Sequence, residues 1–145
     1  MAAAKRRLSP LYESSKTETL SDEKPAPAKK KSWGFHLLVV MRGCNKEMDN
    51  ITDIRGFFTA LIRELKMKEL TPFIYRRVNS EEGRGISAFQ MIQTSHISAH
   101  FDDAMDRGFI DVFSCKPFDE KAAIALIKRY FNPKRFASKF IYRDA

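Results

Sequence analysis

Cysteine is scarce in this chain of 145 residues, with Cys44 and Cys115 as the whole complement. Two thiols cannot build a disulfide framework, and without further ligands they cannot make a cysteine-rich zinc site, so both are expected to be reduced. Long apolar runs are missing as well. None approaches the roughly 20 residues that a membrane-spanning helix needs, so no transmembrane segment is expected. Lys5, Arg6 and Arg7 have no apolar stretch behind them, which speaks against a secretory signal and for a cytoplasmic address. The sequence holds no Walker loop, no paired CxxC, no HExxH and no G-x-S-x-G, and Gly83-Arg84-Gly85 is too short for a dinucleotide-binding loop. No metal site and no strong internal repeat is expected.

Against these absences stand 43% hydrophobic and 12% aromatic residues, enough for one domain with a real core and too few for two large ones. The formal charge of +8 keeps an anionic partner open without bearing on the fold. Residues 1–31 carry eight basic against four acidic side chains, a net of +4. Between 14 and 31, Leu20 is the one large apolar residue in a stretch rich in Ser, Thr, Lys, Pro and Ala. Such a stretch cannot bury enough surface to offset the entropy of ordering it. Residues 1–32 are therefore expected to be a disordered basic tail and 33–145 the folded domain. The tail fits a solvated leader or an electrostatic tether to nucleic acid, and its short basic runs favour the leader.

From residue 34 the texture changes. Gly34-Phe35-His36-Leu37-Leu38-Val39-Val40-Met41 reads as a buried strand, closed by a turn at Arg42-Gly43-Cys44-Asn45. Ile51, Ile54, Phe57, Phe58, Leu61, Ile62 and Leu65 recur at three- and four-residue spacing, which predicts an amphipathic helix with Asn50 as N-cap and Asp53 in its first turn. A strand over 71–78, a polar loop over 79–85, and strands over 86–93, 96–101 and 108–115 follow. Within 96–101, Ile97, Ala99 and Phe101 fall on one face, and His96, Ser98 and His100 on the other. A second helix, with Asp119 as N-cap, Ala123, Ile124, Ile127 and Phe131 inward and Pro133 as its stop, precedes a last strand over 135–142. The order β-α-β-β-β-β-α-β is not the alternation of a doubly wound sheet. It implies an α+β fold, a two-layer sandwich with two helices on one face of a largely antiparallel sheet.

Two polar clusters interrupt the apolar strands: Thr94-Ser95-His96-Ile97-Ser98-Ala99-His100 and Asp111-Val112-Phe113-Ser114-Cys115. Taken alone, they fit an activated nucleophile or polar side chains on a solvated strand face. Together they resemble the core of the bacterial and archaeal S-adenosylmethionine decarboxylases, whose pattern is approximately S-H-[IL]-[ST]-x-H-T-W-P-E followed by D-[VL]-F-[TS]-C. Gly34-Phe35-His36-Leu37-Leu38, Gly43-Cys44-Asn45 and Ser87-Ala88 are similar to further motifs of that family, so the resemblance spans about residues 33–142. It implies a self-processing pyruvoyl enzyme of polyamine (spermidine) biosynthesis. Ser95 would attack the carbonyl of Thr94, an N-to-O acyl shift would give an ester, and β-elimination would cut the chain between Thr94 and Ser95. The pyruvoyl group left from Ser95 would be the cofactor, forming a Schiff base with the α-amine of a small amino-acid substrate and acting as electron sink for loss of CO2. By position, the resemblance makes His100 the base of the elimination, Ser87 its helper in processing, and Cys115 the general acid that protonates the decarboxylated carbon. It also implies a homodimer of processed chains. Strict alternation puts Ser95 and His100 on opposite faces, so a bend or bulge at the cut is required. His36, His96 and Cys44 lie inside matching motifs but are expected to be structural.

The departures bear on substrate. Phe101-Asp102-Asp103-Ala104 stands where the family has T-W-P-E, which removes an aromatic and the acid expected to hold the ribose hydroxyls. Phe73 or Tyr75 would have to supply the aromatic that stacks on adenine. Thr94 replaces a commoner Glu or Lys, but the chemistry uses that residue's main-chain carbonyl. S-adenosylmethionine is the expected substrate. A variant takes arginine or ornithine, whose cationic side chain would pair with Asp102 or Asp103. The alternative from another class is an unprocessed homologue that binds a metabolite or protein without catalysis. A nucleic-acid module built on the tail is the least favoured reading.

Overall fold

Apolar residues at every second position commit the strands to one buried face, and the two amphipathic helices cover it. The structure is a computed structural model that describes residues 32–80 and 83–144. The expected tail lies outside the described residues, apart from Ser32, which opens the first strand. The elements are β1 (Ser32–Arg42), a 3-10 turn (Lys46–Asp49), α1 (Ile51–Glu64), β2 (Ile74–Ser80), β3 (Gly83–Ile92), β4 (Ser95–Asp102), β5 (Arg107–Ser114), α2 (Glu120–Phe131) and β6 (Arg135–Asp144). They form a six-stranded sheet of order β2-β3-β4-β5-β1-β6. Every neighbouring pair is antiparallel, so the α+β sandwich expected from the sequence is observed.

Leu37, Val39 and Met41 of β1, Ile97, Ala99 and Phe101 of β4, and Ile110 and Val112 of β5 pack against the helices. Phe131 closes the layer, with its ring centroid 4.9 Å from that of Phe57 and 5.0 Å from that of Phe101. Both helix starts are capped as the sequence predicts: Thr52 N–H donates to Asn50 Oδ1, and Ala122 N–H to Asp119 Oδ1. Leu126 is buried where Ile124 was expected inward, because positions 123, 126, 127 and 131 hold the three-four spacing and leave Ile124 on the flank.

The β2–β3 region departs from expectation in two ways. β2 begins at Ile74 rather than 71, since Pro72 has no N–H to give a ladder. The polar loop expected over 79–85 is mostly strand, because pairing persists to Ser80 and Gly83. Gly85 has φ +140°, and a Cβ there would collide with the Phe101 carbonyl oxygen. That glycine serves the close approach of β3 to β4 and not a ligand loop.

Among the described residues, no helix lies on the opposite face of the sheet. Register places His36 and Leu38 of β1, Ser87, Phe89 and Met91 of β3, His96, Ser98 and His100 of β4, and Phe109, Asp111 and Phe113 of β5 together on it. Phe89, Met91 and Phe109 are 38%, 40% and 36% exposed there, so a substantial apolar surface is left uncovered. No helix among the described residues is long and apolar enough to cross a membrane.

Candidate functional site

The tight turn between β3 and β4 ends at Thr94, and β4 begins at Ser95 directly opposite Ser114, the last residue of β5. This register gathers Thr94, Ser95, Ser114 and Cys115 at one end of the sheet. The Cys115 N–H donates to the Thr94 carbonyl oxygen at 2.9 Å. Ser114 Oγ donates to Thr94 Oγ1 at 2.9 Å and accepts from the Lys116 N–H at 3.0 Å. The carbonyl and the side chain of Thr94 are therefore both anchored.

Ser95 has φ +149°, a region in which serine is a rare occupant. The irregularity has a visible result. Side chains of consecutive strand residues ordinarily point to opposite faces, yet Ser95 Oγ lies 3.0 Å from Nδ1 of His96. The Ser95 hydroxyl is thus turned towards the face that His96 and His100 share, a local distortion that reaches His96 and does not bring Ser95 to His100. His96 is held by Phe89, stacked at 5.6 Å, and by Phe113, tilted at 5.7 Å. Beside it, His36 Nε2 lies 3.5 Å from Asp111 Oδ1 but makes no hydrogen bond. Burial, with the neighbouring His36 and Arg143, pushes the His96 pKa below the ordinary histidine value, while Asp111 opposes them.

A second cluster stands apart. Ser87 Oγ and His100 Nδ1 are 2.8 Å apart, as the β3–β4 register dictates. His100 is five residues along β4 from Ser95, about 16 Å at strand rise, so the structure joins Ser87 to His100 but joins neither to Ser95. The thiol of Cys115 is exposed just beyond the Thr94 carbonyl. Cys44 is different, half-buried with a pKa pushed up to about 11 by burial and by Asp106, which keeps it a protonated thiol.

The residues in place of T-W-P-E are occupied within the chain. Phe101 is buried against Phe131. Asp102 binds Arg107 Nε at 2.7 Å and caps the Ala104 N–H, and Asp103 is shared by Arg77 and Arg84. Both carboxylates are engaged by arginines of the chain. Phe73 and Tyr75 stack on each other at 6.0 Å, with Tyr75 exposed. A cavity of about 590 Å3 opens on the helix side of Thr94, lined by Lys66, Lys68, Gln93, Ser114, Lys116 and Phe118 among others; Ser95, His96 and Cys115 do not line it. Among the described residues, no group of three or more His, Cys, Asp or Glu could hold a metal ion.

Two residues that touch Thr94 and Ser95 were expected to be structural or went unassigned. His96 contacts the Ser95 hydroxyl, and Ser114 contacts Thr94. The available signal for His96 was its adjacency to Ser95, which a regular strand would have made meaningless.

Comparison with known proteins follows the same residues. The family model described as S-adenosylmethionine decarboxylase matches residues 35–144. A protein of Thermomicrobium roseum described as S-adenosylmethionine decarboxylase proenzyme is 26% identical over 113 residues, covering 72% of this chain and 88% of the relative. The fold is similar to the crystal structure of the adenosylmethionine decarboxylase from Aquifex aeolicus, with a TM-score of 0.68 and 23% identity over 79% of this chain and 93% of that one.

Proposed function

The chain belongs to the S-adenosylmethionine decarboxylase family of carboxy-lyases, and from that premise we propose that it cuts itself between Thr94 and Ser95 and then decarboxylates S-adenosylmethionine to feed spermidine synthesis. The carrying observation is the conformation at the cut: a strained Ser95 beside a Thr94 carbonyl that accepts the Cys115 N–H at 2.9 Å. A donor so placed stabilises negative charge as it develops on that oxygen when the Ser95 hydroxyl attacks. The unusual φ stores about 1–3 kcal/mol, which breaking the peptide bond releases. In the acyl shift the Ser95 Oγ bonds to the Thr94 carbonyl carbon, the C–N bond breaks, and the hydroxyl proton ends on the new amine. Loss of the Ser95 Cα proton then expels Thr94 as a carboxylate, and water converts the remaining enamine to a pyruvoyl group with release of ammonia.

That group supplies an electron sink for loss of CO2. The exposed Cys115 thiol, one residue beyond the Ser95 partner Ser114, is placed to deliver a proton to the substrate carbon. His100 of β4 and its partner Ser87 of β3 sit too far along the sheet to serve the Ser95 of their own chain. A homodimer stacked through the helix-free faces, running in opposite directions, brings the Ser87–His100 pair of one copy towards the Ser95 end of the other. The exposed Phe89, Met91 and Phe109 on that face favour such packing. Asp102 and Asp103 already answer arginines of the chain, so neither is an unpaired carboxylate waiting for arginine or ornithine, which favours S-adenosylmethionine as substrate.

Intact mass under denaturing conditions tests the proposal. The wild-type chain should yield one fragment ending at Thr94 and one beginning at a pyruvoyl-blocked position 95, with a single uncut Ser95→Ala chain as control. A wild-type chain that stays whole after prolonged incubation overturns self-cleavage in favour of a binding homologue without catalysis.

A further inference from the structure

We propose that His96 is the base that takes the hydroxyl proton of Ser95 in the acyl shift. This rests on the self-cleavage reading and assigns its first proton transfer. Ser95 Oγ and His96 Nδ1 are 3.0 Å apart, within the reach a general base needs. The ring is not free to turn away, because Phe89 stacks on one side and Phe113 leans against it from β5. His100, the other imidazole on β4, is committed to Ser87 at 2.8 Å and lies five residues away.

The step balances without any outside reagent. As Oγ bonds to the Thr94 carbonyl carbon, its proton passes to Nδ1. The negative charge on the carbonyl oxygen is met by the Cys115 N–H. When the C–N bond breaks, Nδ1 returns the proton to the departing Ser95 nitrogen, so His96 ends as it began. The charged or titratable groups facing the imidazole are His36 from β1, Asp111 from β5 and Arg143 from β6, while β3 contributes the uncharged Phe89 and Met91. Burial and His36 hold the imidazole in its neutral, proton-accepting form, and Asp111 acts in the opposite sense.

The test is the rate of cleavage of the full chain, made by cell-free translation between pH 5 and 8 and followed by denaturing gel and mass. His96→Gln and His96→Asn should each slow cleavage by about 100-fold or more, the usual worth of a positioned base. In the wild-type chain the rate should fall on acidification with a midpoint below the ordinary histidine value of about 6.5. His36→Gln removes a neighbour that disfavours protonation and should move that midpoint up. Asp111→Asn removes one that favours it and should move the midpoint down. A packing role for His96 would leave the midpoint where it was in both. If the wild-type chain cleaves and both His96 variants match its rate, the assignment is overturned while self-cleavage stands. If those variants misfold, the His36 and Asp111 midpoints decide alone, and unmoved midpoints overturn it. A wild-type chain that does not cleave removes self-cleavage itself.

Discussion

The proposed function gives Cys115 two roles on different atoms, and a substitution can separate them. Its N–H holds the Thr94 carbonyl, and its exposed thiol is the proposed proton donor. Cys115→Ala keeps the first and deletes the second. Cleavage should therefore continue within a few-fold of wild type, while decarboxylation falls by about 100- to 10,000-fold, the range for a lost general acid. Fragment formation by mass and CO2 release from labelled substrate report the two separately; equal losses in both would tie the thiol to processing instead. The motifs that hold Thr94, Ser95 and Cys115 were legible in the sequence because their identities and spacing are ordered, and the β4–β5 register brings the three together. The contact between Ser95 and His96 was not. It depends on φ at Ser95, and serine carries no residue-type signal for a positive φ as glycine does.

At the scale of elements, β4 bears the site at one end and a structural lock at the other. Its last residue, Asp102, pairs across the hairpin with Arg107 of β5 and caps the turn between them. The Asp102 side chain is 11% exposed and that of Arg107 25%, so removing one partner strands a half-sheltered charge. Asp102→Ala should cost about 2–3 kcal/mol, somewhat below the loss for a fully buried pair. Chemical denaturation in the uncut Ser95→Ala background measures it; a loss under about 0.5 kcal/mol would place the pair among surface bridges. The sequence suggested these carboxylates for substrate because two acids in a departing motif look functional when their partners are unseen. Arg107, Arg77 and Arg84 are close to Asp102 and Asp103 only through hairpin register, which composition cannot express. Helix starts were legible, since Asn50 and Asp119 each precede a clear three-four apolar spacing. The 3-10 turn over Lys46–Asp49 was not, because four residues with only Met48 buried leave no periodic trace.

For the whole molecule, the separation of Ser95 from the Ser87–His100 pair is the fact that any mechanism has to meet. The sheet is rigidly registered from β3 to β5, and no rotation of side chains spans about 16 Å along a strand. In the proposed dimer, two copies related by a two-fold axis would solve the problem because an isologous interface puts the same residues in reach twice, once from each side. The consequence is complementation. Ser95→Ala and His100→Ala chains should each be defective alone, since one lacks the nucleophile and the other the shared imidazole. Produced together in equal amounts, half the dimers are mixed, and each mixed dimer holds one complete centre, Ser95 and Cys115 from one chain with Ser87 and His100 from the other. Cleavage and decarboxylation should then return to about a quarter of the wild-type level by this symmetry count. Placing a charge on the uncovered face, as in Phe109→Glu, should abolish the recovery together with the dimer, read by light scattering. If the mixture stays as inactive as its parts while Ser95→Ala is dimeric, the Ser87–His100 pair serves no second centre. His100 then acts within its own chain or on its folding, and the two-fold reading of the centre is overturned.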